Sequence, residues 1–420
     1  KSLVGLIDSL MATIAVIGTL DTKGEELAWL ARAIRERGHQ TLMVDLGTGS
    51  PPILQPDLSR EAVLQAAGRH LEKVLLCGDR GRCVEAMAQA APVVMKQWVE
   101  EVKIDGVISM GGGGGTSMST AAMRALPVGF PKVMITTMAS GDVSAYLETS
   151  DIVMMPSVVD VSGLNSILRG VMERGAGAIC GMVEAFSQKQ DEKPTIVASM
   201  FGNTTSCVEH ARSHLEESGF EVLVFHATGA GGRTMETLIE SGLAQGVLDI
   251  TATEWADELV GGVLSAGPHR HEASGKAAVP SVVVPGCLDM VNFHAPDTIP
   301  SVFADRQFYA HNPQVTLMRT TPGECAQLGI ILADKINAYT APVTVLLPLG
   351  GLSVIGGKGG PFHDPAADAQ LFKSLQQGLR KGIEVVSLDL EINHPQFAEA
   401  CTQALLKNME QNAATKACGA

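Results

Sequence analysis

Five consecutive glycines, Gly111 to Gly115, follow the strand-length apolar run Gly106 to Met110 and lead into Thr116-Ser117-Met118-Ser119-Thr120. Glycine lets backbone approach a ligand closely, and the unpaired N–H groups of a helix start, added to the helix dipole, attract anions. Gly112, Gly113, Gly114, Gly115, Thr116 and Ser117 are therefore read as a phosphate cradle at the carboxyl end of a parallel strand. A tight strand-to-helix turn without a ligand is the alternative. Five glycines carry more chain entropy than such a turn needs, which favours the cradle.

Other residues with usable chemistry stand where apolar runs end. Gly18-Thr19-Leu20-Asp21-Thr22-Lys23-Gly24 follows the first run, and Lys23 is either a phosphate contact or a solvated first-turn residue. Asp45 ends the second run, where an acidic residue often meets a ribose hydroxyl. Thr137, Ser140 and Gly141 follow a later run, as does Asp160 after the next. Asp21, Asp142 and Asp160 are each able to hold Mg²⁺ through water, although capping of the following segment is the simpler role. In the second half, Gly229, Gly231 and Gly232 form either a second anion cradle or an ordinary two-glycine turn. Asp289, His294, Asp297, Arg306, His311, Asn312 and Arg319 crowd a stretch with few helix signals, read as a functional loop surface or a solvated loop. His269-Arg270-His271 lies among Gly, Pro and Ser and reads as solvent-facing. There is no Walker A loop, no G-x-G-x-x-G after the first strand, no H-E-x-x-H and no G-x-S-x-G.

The elements that must position these residues repeat one grammar: apolar strand, polar or glycine-rich loop, amphipathic helix. Strands are expected at 13–17, 41–46, 106–110, 132–136, 151–155, 195–199, 221–225, 247–251, 281–285, 343–347 and 384–388. Helices are expected at 60–72, 80–103 and 164–186, the last a core or dimer-interface helix in which Gly177 and Gly181 admit a neighbour. The polar stretch 187–193 is the best boundary, giving domains 11–188 and 194–413. The fold class is α/β, two doubly wound domains with a cleft between them. A length of 420 residues fits two cores. The net charge of −14 argues against nonspecific nucleic-acid binding. No apolar run is long enough to span a membrane, and residues 1–10, ahead of Met11, read as an extended start without signal-peptide features. The 8 scattered cysteines form no C-x-x-C pair and read as reduced thiols of a cytoplasmic protein.

The motifs together resemble a known family. Gly18 to Lys23 with Glu26-Leu27, Gly113 to Ser117, Pro131-Lys132-Val133, Ala139-Ser140-Gly141, Thr149-Ser150-Asp151 and Pro156 to Val161 carry the likeness in the first half. His226 to Gly229, Gly231-Gly232 with Met235-Glu236, Pro285 to Met290, His311-Asn312-Pro313 and Arg319-Thr320-Thr321 carry it in the second. These resemble the Tm-one-like ATP-binding domain family, bacterial proteins homologous to the amino-terminal region of a tomato mosaic virus resistance protein. The resemblance implies two Rossmann-like domains, ATP with Mg²⁺ as ligand, and a homodimer. The plant relative binds viral replication proteins, so a protein partner is a further expectation, without its antiviral role. Two readings follow: a nucleotide-binding protein, or an enzyme acting on a phosphorylated or nucleotide-linked small molecule in the inter-domain cleft. A nucleotide-sugar-processing fold is a weaker third. In the enzyme reading His226, Glu254, Asp289, His311 and Arg319 supply acid–base and anion-binding groups.

Overall fold

A computed structural model describes residues 11–75, 78–186 and 193–419. The extended start, Cys77 and the boundary stretch up to residue 192 lie outside the described residues. The chain divides into two compact units at residue 191.

The first unit is built on runs that are apolar on both faces. Strands β1 (Thr13–Gly18), β2 (Gln40–Asp45), β3 (Gly106–Gly111), β4 (Lys132–Thr136) and β5 (Val153–Pro156) pair in parallel in the order β2-β1-β3-β4-β5. Successive side chains alternate between faces. Ile14, Val16, Ile108 and Ile135 pack on one side with Leu27, Leu30 and Ile34 of the helix Leu20–Arg35 and Leu168, Val171 and Ile179 of Ser166–Phe186. Ala15, Ile17, Val107 and Met134 pack on the other with Met87 and Val94 of Arg80–Glu100 and Met118 and Met123 of Gly113–Arg124. The single helix expected at 60–72 is two, Arg60–Ala66 and Leu71–Leu75, separated at Gly68, whose φ is +69°. In Ser166–Phe186 the close approach falls on Gly175, where a Cβ would lie 2.6 Å from Ile135 Cδ1. Gly177 and Gly181 have no described neighbour within 4 Å of that position.

The second unit repeats this plan with one strand more. Strands β6 (Thr195–Met200), β7 (Glu221–His226), β8 (Gly246–Thr251) and β9 (Ser281–Gly286) are its first four parallel strands. Between the fourth and the fifth comes an antiparallel insert of β10 (Met290–Phe293), β11 (Phe308–Asn312) and β12 (Val315–Arg319). Strands β13 (Val343–Pro348) and β14 (Glu384–Leu388) complete the parallel sheet, in the order β14-β13-β9-β8-β6-β7. Counted within each unit, both sheets run 2-1-3-4-5, with a sixth strand at the end of the second. That is a doubly wound, Rossmann-like order, with its switch point between the first and third strands.

The insert is where a loop surface was expected. Met290–Phe293 and Val315–Met318 are short apolar runs that pair with each other across more than twenty residues, so neither announces a hairpin locally. Their burial leaves β11, with His311 exposed, as the outer strand.

Candidate functional site

In an open α/β sheet the loops after neighbouring strands splay apart where the strand order reverses. In the first unit that place holds a cavity of about 590 Å³, lined by the loops after β1, β2 and β3 and by the start of the helix Arg80–Glu100. Thr19, Asp21, Thr22 and Lys23 reach it from β1, and Gly112, Gly113, Gly114 and Gly115 from β3. Thr48, Gly49 and Ser50 also line it, as do Gly78 to Arg80 with Cys83 and Val84, none of which was singled out in the sequence. Their signals were the Gly/Pro-rich loop after β2 and Asp79, which caps its helix by accepting from Gly81 N at 2.7 Å. Arg60 holds the β2 loop, donating from Nη1 to Gly49 O (3.0 Å) and Ser50 O (2.7 Å).

The glycines of this loop differ in what requires them. At Gly111 a Cβ would meet Gly115 Cα at 3.2 Å, so close packing accounts for it. At Gly113 and Gly114 the nearest atom would be 3.8 Å away, and at Gly115 there is none within 4 Å. None of the three has a positive φ. Neither backbone nor neighbours ask for glycine there; what its absence of side chain provides is open space over the helix start. The N-cap, Gly112, offers no side chain to the first-turn amides. Thr116 faces inward instead, donating to Gly112 O (2.8 Å) and pairing with Thr136 Oγ1 (2.6 Å), which fixes the loop from behind. Ser117 does not line the cavity.

The acidic residues divide in the same way. Asp45 is fully buried, its Oδ1 accepting from Leu20 N (3.1 Å) and Gly47 N (2.8 Å). It ties the β1 and β2 loops together and is not a ribose contact on the cavity wall; burial raises its pKa, against the two amides that lower it. Asp21 is on the wall. Its Oδ2 accepts from Gly49 N (2.9 Å), while its buried Oδ1 has no partner. Lys23 is half-buried within the helix Leu20–Arg35. It sits at a kink (φ −129°, ψ 20°), and its ammonium donates to Val161 O.

Thr137, Ser140 and Asp160 fall elsewhere, in a second cavity of about 350 Å³ at the ends of β4 and β5. Gly141 lines neither cavity, its N–H closing the preceding turn on Met138 O at 3.1 Å. Asp142 takes the capping role, accepting from Ser144 N at 2.9 Å.

The second glycine loop, similar in sequence, is a different object. Glu254 Oε1 accepts from Gly229 N (2.7 Å) and Gly232 N (3.1 Å), and Arg270 Nε donates to Glu254 Oε2 at 2.7 Å. A Cβ at Gly232 would lie 2.2 Å from that carboxylate, and one at Gly231 1.9 Å from His226 O. Glycine is required here by the protein's own contacts, and the cradle is filled by its own anion. Gly229, Gly231 and Gly232 are thus not an open phosphate site. Arg270 and His271, read as solvent-facing, are buried: Arg270 also pairs with Asp249 (2.6 Å) and Glu236 (2.9 Å). Only His269 of that triplet is exposed.

The acid–base candidates do not gather into one site, although Arg319 meets Asp289, its Nη1 donating to Asp289 O at 3.4 Å. Glu254 is held as described. Arg319 is buried, donating to Asp368 Oδ1 (2.6 Å) and Phe362 O (2.9 Å). His226 is exposed with its ring 5.5 Å from that of Phe201, and His311 is exposed on the outer strand β11. Asp289 is fully buried, accepts from Ser353 Oγ at 2.6 Å and leaves Oδ1 without a partner. Burial pushes its pKa up to about 6, from an ordinary 3.8. A carboxyl whose folded pKa is raised stabilises the fold fully below its unfolded pKa and loses that contribution as pH rises through the folded value. Denaturant midpoints of the second unit should therefore fall between pH 4 and about 6, and Asp289→Asn, which keeps an acceptor for Ser353, should flatten that part of the profile. An unchanged slope in the variant would show that another group carries it.

Fold and cavity define a protein with two Rossmann-like α/β units, the first with an open glycine loop at its switch point. Family profiles match both: the N-terminal domain of the uncharacterised protein family UPF0261 over residues 12–188 and its C-terminal domain over residues 193–409, and the chain belongs to that family. A UPF0261 protein of Clostridium tetani is 44% identical over 400 residues, covering 95% of this chain and 99% of the relative. The tomato (Solanum lycopersicum) ToMV resistance protein Tm-1(GCR237) is 41% identical over 336 residues, 78% of this chain and 45% of the tomato protein, so the Tm-one-like resemblance holds. Among solved structures, UDP-N-acetylglucosamine 2-epimerase from Rickettsia bellii aligns over 65% of this chain and 78% of that one at 14% identity, with a TM-score of 0.21, too loose to carry an argument. Among the described residues no helix is long and apolar enough to cross a membrane.

Proposed function

We propose that the first unit binds a nucleotide through its phosphates, with ATP·Mg²⁺ as the form to test. The observation that carries this is the trio Gly113, Gly114 and Gly115, side-chain-free for no reason internal to the protein. The first-turn amides of a helix have no intrahelical partner, and the dipole adds positive potential to them. A cavity of this size falls within the usual range of ~300–1,000 Å³ for small-molecule sites. Val84 and Met118 give a base an apolar surface, and Arg80 adds positive charge at the rim. Asp21 fits the cation: its unpartnered Oδ1 is a hard oxygen ligand of the kind Mg²⁺ takes. The ion would neutralise phosphate charge there.

A ligand of the native state stabilises by mass action, about 2.7 kcal/mol at 100 times its Kd. Scanning calorimetry with ATP and MgCl₂, against MgCl₂ alone, should raise the melting temperature. A flat response at millimolar ATP would remove the reading.

A further inference from the structure

The second cavity of the first unit begins where the glycine loop ends. A Cβ placed on Gly112 would lie 3.8 Å from Thr137 Oγ1, and one on Gly113 would lie 3.8 Å from Met138 Sδ. Gly112 lines the first cavity and Thr137 the second. A phosphate resting on the loop is thus flanked by a cavity on each side.

The lining of the second cavity is of one kind. Thr136, Thr137, Ser140 and Ser157 bring hydroxyls, Asp160 a carboxylate, and Pro156, Val158 and Val159 the apolar remainder; no lining residue is cationic. Ser157 Oγ donates to Val159 O (2.6 Å), and Ser140 Oγ to Thr137 O (3.3 Å). The Thr137 hydroxyl and the Asp160 carboxylate make no hydrogen bond to any described residue and remain available to a ligand. Hydroxyls both donate and accept, so this wall suits groups that do the same. With a carboxylate and no cation, it disfavours a second anion.

The wall is also held in a costly shape. Val158 has φ +67°, a left-handed backbone that a β-branched residue rarely adopts. Its neighbours fix it there, through the Ser157 bond to Val159 O and the Lys23 ammonium on Val161 O. Lys23 itself lines the first cavity, so one side chain braces both.

We propose that this cavity is a subsite for a neutral, polyhydroxylated group lying beside the distal phosphate of the bound nucleotide, an inference that rests on the nucleotide reading above. The group reaches it in one of two ways, joined to the nucleotide as a sugar on its diphosphate or as a separate polyol.

Calorimetric titrations distinguish the two. One arm compares ADP-glucose with ADP; the other adds D-glucose or glycerol to protein saturated with ADP. The expected result is about ten-fold tighter binding of ADP-glucose than of ADP in the first arm, or saturable polyol binding in the second. In Thr137→Val and Asp160→Asn the ADP-glucose to ADP ratio, taken within each variant, should return to about one, and polyol binding should vanish. No gain in either arm, or a gain that both variants keep, overturns the subsite while ADP binding upholds the nucleotide reading. Absence of ADP and ATP binding in the wild type overturns both.

Discussion

Replacing Gly114 by Asp should abolish the thermal stabilisation given by ATP·Mg²⁺ while leaving the unliganded protein at least as stable as before. Gly114 is the second residue of the helix Gly113–Arg124, and a Cβ there meets nothing closer than Val84 Cγ2 at 3.8 Å. A carboxylate at this point is compatible with the helix dipole, typically favourable by about 0.3–1 kcal/mol, and removing a helical glycine adds to that. For a phosphate the same carboxylate is prohibitive. At ~5 Å and an effective dielectric of ~20, each like-charge pair costs about 3 kcal/mol, on the order of a hundred-fold in affinity. Gly114→Ala separates charge from bulk, since one methyl fits the free space and should keep part of the shift. An undiminished ATP shift in Gly114→Asp would place the nucleotide elsewhere, whatever the melting temperature of the variant alone.

This experiment exploits a distinction that the sequence did not contain. Gly112 to Gly115 and Gly229 to Gly232 look alike, each a glycine cluster between a strand and a helix. What separates them is Glu254, which reaches the second loop from 22 and 25 residues away and occupies its amides. Spacing cannot reveal that a carboxylate will arrive from another element. The parallel strands of both sheets were legible because a strand covered on both faces is a continuous apolar run, and such runs stand out. The insert β10-β12-β11 was not, because β10 finds β12 across more than twenty residues and the β11–β12 hairpin carries His311 and Asn312 into solvent. Asp45 was expected to reach a ribose hydroxyl from its strand end; the amides of Leu20 and Gly47 turn it inward. Thr137, Ser140 and Asp160, like the glycine loop, stand after strands of one sheet. The fold sends them to a separate cavity, since β4 and β5 lie on the far side of β3 from β1.

Arg270 was the residue furthest from its sequence reading, and its removal should have the largest effect on stability. A Gly/Pro/Ser-rich surrounding marks a segment as surface only when no opposite charge claims it. Here Asp249, Glu254 and Glu236, from three different elements, converge on the one guanidinium. Arg270→Met keeps most of the side-chain bulk and leaves three carboxylates without their cation. His271 does not replace it. Its Nε2 is 3.3 Å from Asp249 Oδ2, but burial, the largest cause of its low pKa of about 3 and one that the substitution leaves in place, disfavours its charged form. Breaking a buried ion pair from one side typically costs about 3–5 kcal/mol, so a loss of about 4 kcal/mol is expected in the second unit. The pH dependence identifies the cause. In the wild type burial pushes the Asp249 carboxyl up, but Arg270 together with its other partners, the Ser199 hydroxyl among them, more than offsets this and holds it down to about 2, so its contribution is complete above its unfolded pKa of 3.8 and is lost only as pH falls toward 2. In Arg270→Met burial is opposed only by backbone amides and the Ser199 hydroxyl and raises the carboxyl pKa values, so stability is lost as pH rises through them. The gap between wild type and variant should therefore widen from pH 5 to pH 8, read from denaturant midpoints by the fluorescence of Trp255, whose Nε1 donates to His271 Nδ1 at 3.0 Å. A gap that stays constant across that range would mean that Arg270 acts through packing, and that the backbone amides on Glu236 and Glu254 and the Ser199 hydroxyl on Asp249 stabilise the carboxylates without it.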